Sequence, residues 1–310
     1  MASVQRPVVV VGSINMDLVA TAPHIPASGE TVMGTDFQTH PGGKGANQAV
    51  AVGRLGYPVH MIGCVGSDGF GEQLRANLHG AGVNHQGVAT VEGPSGVALI
   101  VVSEAGENSI VVASGANASL RPEMFERNME VIRGAGMVLT QLETPIETVQ
   151  RLAEICAEAG VPLMLDPAPA RELPPEIWKR IAWFTPNETE AAYFEKSARG
   201  DTSSNLMAAA LLRKGPEGVV LKLGGRGAYI VLKDGTETAI PAFPVKAVDS
   251  TAAGDAFNGA FATALMLGMD EAKAARFASA AAAISVTRQG AQSSMPDMEE
   301  VKAMMETGSV

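Results

Sequence analysis

Short runs of β-branched residues alternate along this chain with segments of helical periodicity, and this alternation constrains the fold more than any other feature. Strands are expected at Val8–Val11, Met61–Val65, Met137–Leu142, Pro162–Leu165, Trp183–Thr185 and Val219–Leu223. Helical patterns lie between several of them, as at Glu147–Ala159 and Ser203–Lys214. Buried strands separated by helices pair in parallel and need cover on both faces. The expected class is therefore α/β, a mostly parallel central sheet with helices on both faces. The 310 residues, 46% hydrophobic and 18% charged, suit one large domain over 1–310 with a substantial core. Near the C-terminus, Gly254–Met266 and Asp270–Val286 read as two consecutive Ala-rich helices, since alanine favours helix and permits close packing.

Two stretches break the rhythm. Residues 17–40 and 97–114 carry alternating patterns, "ETVMGTDFQTH" and "VALIVVSEAGENSIVVAS", with a hairpin-like turn at Gly106-Glu107 and no helix inside either. They are expected to form a small separate β-sheet, a lid over the C-terminal edge of the main sheet. The exposed sheet of such a lid also offers a surface to a second subunit, so a homodimer is expected.

Charge excludes several partners. The formal net charge is −10, from 33 acidic against 23 basic residues, and no basic tract stands out. Nucleic acid and anionic membranes are poor partners for such a surface. Cys64 and Cys156 sit in separate apolar runs and read as reduced core residues, which points to the cytoplasm. "MASVQRPVVVVGSINMD" reads as a first strand rather than a signal sequence, and no apolar run reaches membrane-spanning length.

Open α/β sheets bind ligands beyond the carboxyl ends of their strands. Polar clusters fall at those ends: "GSINMD", "QLETP", "DPAPAR" from Asp166, "TPNETE" and "KLGGRG". No G-x-x-x-x-G-K-[ST] loop is present, and "PGGKGAN" does not satisfy G-x-G-x-x-G. His24, His40, His60, His79 and His85 show no helical pairing with a carboxylate, against a metal hydrolase. "GPSGV" misses the nucleophile-elbow spacing. What remains is "DSTAAGDAFNGAF", Asp249–Phe261, where Asp255 follows a run of tiny residues at the start of a helix. Asp255 either caps that helix or accepts a proton beside backbone N–H groups that hold a phosphate. Phosphoryl transfer needs positioning, charge stabilisation and a base, which the second reading supplies.

The chain resembles the ribokinase-like family of carbohydrate kinases over essentially its whole length. "PGGKGANQAVAVGRLG" (Pro41–Gly56) is similar to the family's amino-terminal signature and "DSTAAGDAFNGAF" to its carboxyl-terminal one. The shorter stretches "GSINMDLV", "QLETP", "DPAPAR", "TPNETEA" and "TRQGAQSSMP" resemble members acting on ribose. The resemblance implies an ATP-dependent kinase phosphorylating the primary 5-hydroxyl of D-ribose. It makes Asp255 the general base, with backbone N–H groups at Ala253, Gly254 and Asp255 as the anion hole. Asn15, Asp17, Gly43, Lys44, Gly45, Asn47 and Glu143 would bind the sugar. Asn187 and Glu190 would lie near the phosphates and Mg²⁺, Glu190 acting through water. Lys222, Gly224, Gly225, Gly227, Gly254 and Ser279 would line the nucleotide pocket, although Lys222 and Ser279 stand where some relatives carry Thr and His or Asn. Asp249, Thr251, Ser285, Arg288, Gly290 and Ser294 would hold an activating K⁺.

Two classes of function are thus set against each other. A non-catalytic sugar-binding protein accounts for hydroxyl-reading residues but leaves Asp255 and "TAAG" idle. A sugar kinase accounts for both. Within the kinase class, another pentose, fructose or a nucleoside such as adenosine is the alternative acceptor.

Overall fold

The computed structural model describes residues 5–195 and 203–308. The expected first strand, β1 (Val8–Val11), consists of four valines, all buried. Val8 and Val10 enter one hydrophobic cluster and Val9 and Val11 the other, so a strand of period two divides the core into two layers. The remaining strands are β2 (Asn15–Ala22), β3 (Asp36–Gly42), β4 (Val59–Gly66), β5 (Asn84–Val91), β6 (Gly96–Ser103) and β7 (Asn108–Ala113), then β8 (Met137–Thr140) and β9 (Leu163–Leu165). They are followed by β10 (Trp183–Phe184), β11 (Gly218–Lys222), β12 (Ala228–Leu232) and β13 (Glu237–Ile240).

Nine of these form one sheet in the order β13-β12-β11-β10-β9-β8-β1-β4-β5. All neighbours from β11 to β5 pair in parallel, whereas β11–β12 and β12–β13 are antiparallel. After β1 the chain builds outward through β4 and β5, then returns to the other side of β1 with β8. Between β1 and β8 the connections diverge, opening a crevice at the carboxyl ends of both strands.

The other four strands make a separate sheet in the order β3-β2-β6-β7, drawn from the two stretches expected to lack helices. Residues 30–35 depart from the expectation: this alternating segment is irregular, and β3 starts only at Asp36. Met33 is 84% exposed, so no buried face rewards the alternation there. Gln141, Leu142, Pro162, Thr185 and Leu223 fall outside the strands expected to contain them, at points where the strand ladders begin or end.

The two Ala-rich helices are Ala253–Met266 and Glu271–Ser285, and their alanines bury almost completely in the layer that contains Val8 and Val10. Cys64 and Cys156 are buried and unpaired, and burial pushes their thiols up to about 11 and about 12 respectively. No helix among the described residues is long and apolar enough to cross a membrane.

Candidate active site

The crevice between β1 and β8 collects the residues that follow each strand. Ser13, just beyond β1, donates its hydroxyl to Glu143 Oε2 at 2.5 Å, just beyond β8. β2 starts immediately afterwards, so Asn15 and Asp17 share one face of the smaller sheet at its junction with the larger. Asn15 is buried and accepts from Asn117 Nδ2 at 2.6 Å. Burial pushes Asp17 up to about 7, aided by the charges of Glu143 and Asp255 and opposed by Lys44.

The glycine-rich stretch passes between these walls because side chains would not fit. Gly43 has φ 87°, and a Cβ there would come within 2.6 Å of the Asn15 nitrogen. At Gly45 it would come within 2.7 Å of Gly12 and Ser13 backbone. The helix Lys44–Arg54 therefore starts flush against β1 with no side-chain cap. Its first turn aims Lys44, Asn47 and Gln48 at the crevice.

Asp255 is the centre on which both signatures converge. It is 5% exposed and accepts from Asn47 Nδ2 and from Gln48 Nε2, each at 3.0 Å. Asn47 is held in turn by Gln292 Nε2 at 3.0 Å, and Gln48 Oε1 by Gln141 Nε2 at 2.8 Å. Burial pushes the Asp255 carboxyl up to about 6; Lys44 opposes the rise, Asp166 adds to it, and the two amides moderate it. The cap of the helix Ala253–Met266 is Ala252, in the left-handed region at φ 59°, and no side chain caps the helix. Asp255 stands inside the first turn with its carboxylate turned to Asn47 and Gln48, so the capping reading does not hold. The Ala253 N–H donates to the Ser250 carbonyl at 3.3 Å, which leaves the N–H groups of Gly254 and Asp255 at the positive end of the helix dipole, where Ala253 and Gly254 line a cavity.

That cavity, about 360 Å³, is lined by Lys222, Gly224, Gly225, Gly227, Ala253, Gly254 and Ser279, with Phe243, Val245, Phe257 and Val286 as an apolar wall. Polar groups at one end and an apolar wall at the other suit a phosphorylated ligand with a flat ring. The buried Ser279 hydroxyl has no hydrogen-bond partner among the described residues. Lys222 Nζ pairs with Asp166 Oδ1 at 3.0 Å, and Asp166 Oδ2 accepts from Gln48 at 2.9 Å.

Asn187 and Glu190 form a capping box at the start of the helix Glu188–Phe194, each side chain bonded to the other's backbone N–H at 2.8 Å. Burial raises the Glu190 carboxyl, and Asp166 raises it further against the pull of Lys222. Asp166 and Glu190 are oxygen donors near one another and near Lys222 of the cavity wall, a hard-donor pair that fits Mg²⁺ held through water.

On the far side of the helix start, Asp249 accepts from Thr251 N–H and from Gly290 N–H, each at 2.9 Å. Burial opposes ionisation of Asp249, but these hydrogen bonds outweigh it and lower its pKa. Val248 and Asp249 both donate to the Val286 carbonyl, and Arg288 N–H donates to the Ser285 carbonyl at 3.2 Å. The loops at 249–251 and 285–290 are thereby drawn together. The Arg288 guanidinium turns away to Glu300, and the Ser285 and Ser294 hydroxyls donate to the carbonyls of Ala282 and Ala291.

Gln48, Asp166, Gln141, Gln292 and Ser13 complete the cluster. Each lies in a polar or motif-bearing stretch (Ser13 in "GSINMD", Gln48 beside Asn47, Gln141 in "QLETP", Asp166 in "DPAPAR", Gln292 in "TRQGAQSSMP"), but only the fold singles out the residue itself.

Residues 5–298 match the family model described as pfkB family carbohydrate kinase. The ribokinases of Haemophilus influenzae and Bacillus subtilis are 42% and 43% identical to this chain, each over 97% of it and 99% of the relative. The structure of Arabidopsis thaliana ribokinase complexed with ribose and ATP matches 97% of this chain and 99% of its own, at 34% identity and a TM-score of 0.91. The chain belongs to the pfkB family of carbohydrate kinases.

Proposed function

We propose that this chain transfers the γ-phosphoryl group of ATP to the primary 5-hydroxyl of D-ribose, giving D-ribose 5-phosphate and ADP. The observation that carries the reading is the position of Asp255. Its carboxylate stands between a pocket of hydroxyl-reading groups and the uncapped first turn of a helix. Asn15, Asp17, Asn47 and Glu143 offer both donors and acceptors to a polyol edge. Lys44 supplies positive charge beside it, and Gly43 and Gly45 let the backbone close on the sugar. With its pKa at about 6, Asp255 is ionised at neutral pH yet basic enough to take the 5-hydroxyl proton as the oxygen attacks phosphorus. N–H groups at Ala253, Gly254 and Asp255 would hold the charge on the transferring group. Gly224, Gly225 and Gly227 would admit the nucleotide, with Ser279 on the opposite wall. Mg²⁺, arriving with ATP, neutralises phosphate charge, and Glu190 with Asn187 would hold it through water.

Three further features belong to this proposal. The chain acts as one domain whose smaller sheet serves as a lid, because Asn15 and Asp17 stand on that sheet and would move with it over the sugar. Phe37, Leu99 and Val111 are exposed on one face of that sheet, the face opposite Asp17, and an apolar face of this kind suits a homodimer through the lid. K⁺ would bind among the carbonyls of Thr251, Ser285, Arg288 and Gly290, with Asp249 as the single charge and Ser294 nearby, stiffening the loop that presents Ala253–Asp255. Dependence on an ATP pool puts the reaction in the cytoplasm.

A coupled assay of ADP release with ribose, fructose and adenosine tests the reading. Turnover on ribose is expected to exceed the others widely. A strong preference for fructose or adenosine would overturn the choice of sugar, and no acceptor-dependent ADP release would favour the sugar-binding alternative.

A further inference from the structure

We infer that Lys222 is a catalytic residue of the phosphoryl transfer: its ammonium grips the oxygens of the moving group, with Asp166 as its positioning residue. The inference rests on the kinase reading above and extends it to a group whose sequence position suggests only a pocket wall. The Lys222 side chain is 12% exposed and its partner Asp166 3%. A lysine seldom withdraws this far from water to make one ion pair, since desolvation offsets most of the attraction. The location supplies a use. Lys222 Nζ lies 3.3 Å from where a Cβ on Gly254 would stand, at the uncapped start of the helix Ala253–Met266. A cation at the positive end of a helix is unfavourable in an empty protein and becomes favourable once an anion sits between them.

Two independent features point to that anion. Asp166 takes one of the three N–H donors of the ammonium, so others remain for a ligand. Ser279, buried and unpartnered, lines the same cavity from the facing helix. Charge balance points the same way. Asp17, Glu143, Asp166, Glu190 and Asp255 crowd the site with negative charge, while Lys44 is engaged electrostatically by four of these acids. Lys222 is the ammonium on the nucleotide side. Asp166 also accepts from Gln48, which donates to Asp255, so one hydrogen-bonded chain holds the phosphate grip at a set distance from the base. In the step itself the ribose 5-oxygen bonds to the γ-phosphorus, the bond from that phosphorus to the bridging oxygen of ADP breaks, and the proton goes to Asp255. Lys222 stays an ammonium throughout.

The test compares wild type with Lys222→Met, Lys222→Gln, Lys222→Arg and Asp166→Asn. It reads kcat and ribose KM, and by calorimetry the Kd of MgADP and of the Mg complex of β,γ-imido-ATP. Lys222→Met is expected to lower kcat on the order of 10²-fold with ribose KM nearly unchanged. It should weaken the imido analogue about tenfold more than ADP, because only the analogue carries a γ group. Lys222→Arg should recover part of both losses, and Asp166→Asn should fall between. Should Lys222→Met fail to fold, Lys222→Gln gives the same reading. Equal weakening of both nucleotides, or a loss of kcat with unchanged affinity for both, would overturn the inference. A wild type that binds the nucleotides but phosphorylates no sugar sinks the kinase reading instead, and the difference in nucleotide affinity still decides whether Lys222 meets the γ group.

Discussion

Asn47 Nδ2 donates to Asp255 Oδ2 at 3.0 Å across 208 residues of chain, and this contact ties the two signatures into one site. An amide is the right neighbour for a carboxylate proposed as a base. It stabilises the carboxylate without supplying a proton of its own, and its oxygen is already held by Gln292. Asp255→Asn keeps the side-chain shape and removes the proton acceptor. We expect kcat to fall about 10²–10⁴-fold while ribose affinity, read by calorimetry, changes little. A kcat near that of wild type would remove Asp255 from the chemistry.

Burial and the Asp166 charge set the pH dependence. With Asp255 at about 6, kcat/KM should rise with pH through that value, because only the ionised form accepts a proton. Stability runs the other way. The folded pKa lies above the ordinary 3.8, so the folded protein binds more protons than the unfolded chain between about 3.8 and about 6. Asp255 therefore makes the fold less stable as pH rises across that window. Denaturant titrations of wild type and Asp255→Asn should diverge there, with the variant losing less stability toward neutral pH.

Asp17, at the junction of the two sheets, shows the same conflict, with burial and then Glu143 and Asp255 pushing its carboxyl up to about 7. Asp17→Asn relieves its repulsion with Glu143 and Asp255. At pH 8 we expect the empty variant to be more stable than wild type by about 1 kcal/mol, discounted from the full shift for partial exposure. Its KM for ribose should rise at least tenfold through loss of a charged acceptor. A variant less stable than wild type at pH 8 would show that Asp17 is not strained by its neighbours.

The alternation of strand and helix, the separate small sheet and the Ala-rich helical pair were legible because periodicity is a local property. The antiparallel β12–β13 hairpin and the edge strand β5 were not. At an edge, one face is covered and the other wet, so the apolar run that marks buried strands such as β1 is diluted. Among site residues, Asp17, Asn47, Glu143 and Asp255 stand in recognisable stretches. Gln48 stands in the same stretch as Asn47, yet its own role is not legible until the fold brings it to Asp166 and Asp255. Asn187 was open to reading as a plain cap, and it does cap its helix, through a capping box with Glu190.

Gly43→Ala tests the close approach of the glycine stretch. The added methyl would sit 2.6 Å from the Asn15 nitrogen with φ at 87°. A loss of about 2–4 kcal/mol in stability is expected from the combined clash and backbone strain, with sugar affinity lost alongside. Chemical denaturation together with ribose titration measures both.

Asp249 is held by N–H groups on both sides, from Thr251 and Gly290, and its negative charge is maintained by them. If its loop carries K⁺, kcat at saturating ribose and ATP should be higher in potassium than in tetramethylammonium buffer, with sodium between. Asp249→Ala should flatten that difference before it abolishes folding. Equal rates in all three buffers would remove the cation from the proposal.

The order in which the polypeptide is made adds a consequence to the distance between Asn47 and Asp255. During synthesis at about 5–20 residues per second, the helix bearing Asn47 and Gln48 waits about 10–40 s for Asp255 to emerge. Gln292, which steadies Asn47 and reaches the Gly42 carbonyl at 3.4 Å, arrives later still. Until then the amides of Asn47 and Gln48 have no carboxylate at 255 to hold, and the core layer around Val8 and Val10 lacks its two Ala-rich helices. A nascent or prematurely terminated chain therefore exposes the polar lining of its future active site together with uncovered sheet, the kind of surface that chaperones and proteases recognise. If Asp255 is the base, a fragment ending before it lacks the catalytic group, and activity recovered on refolding would then count fully assembled molecules.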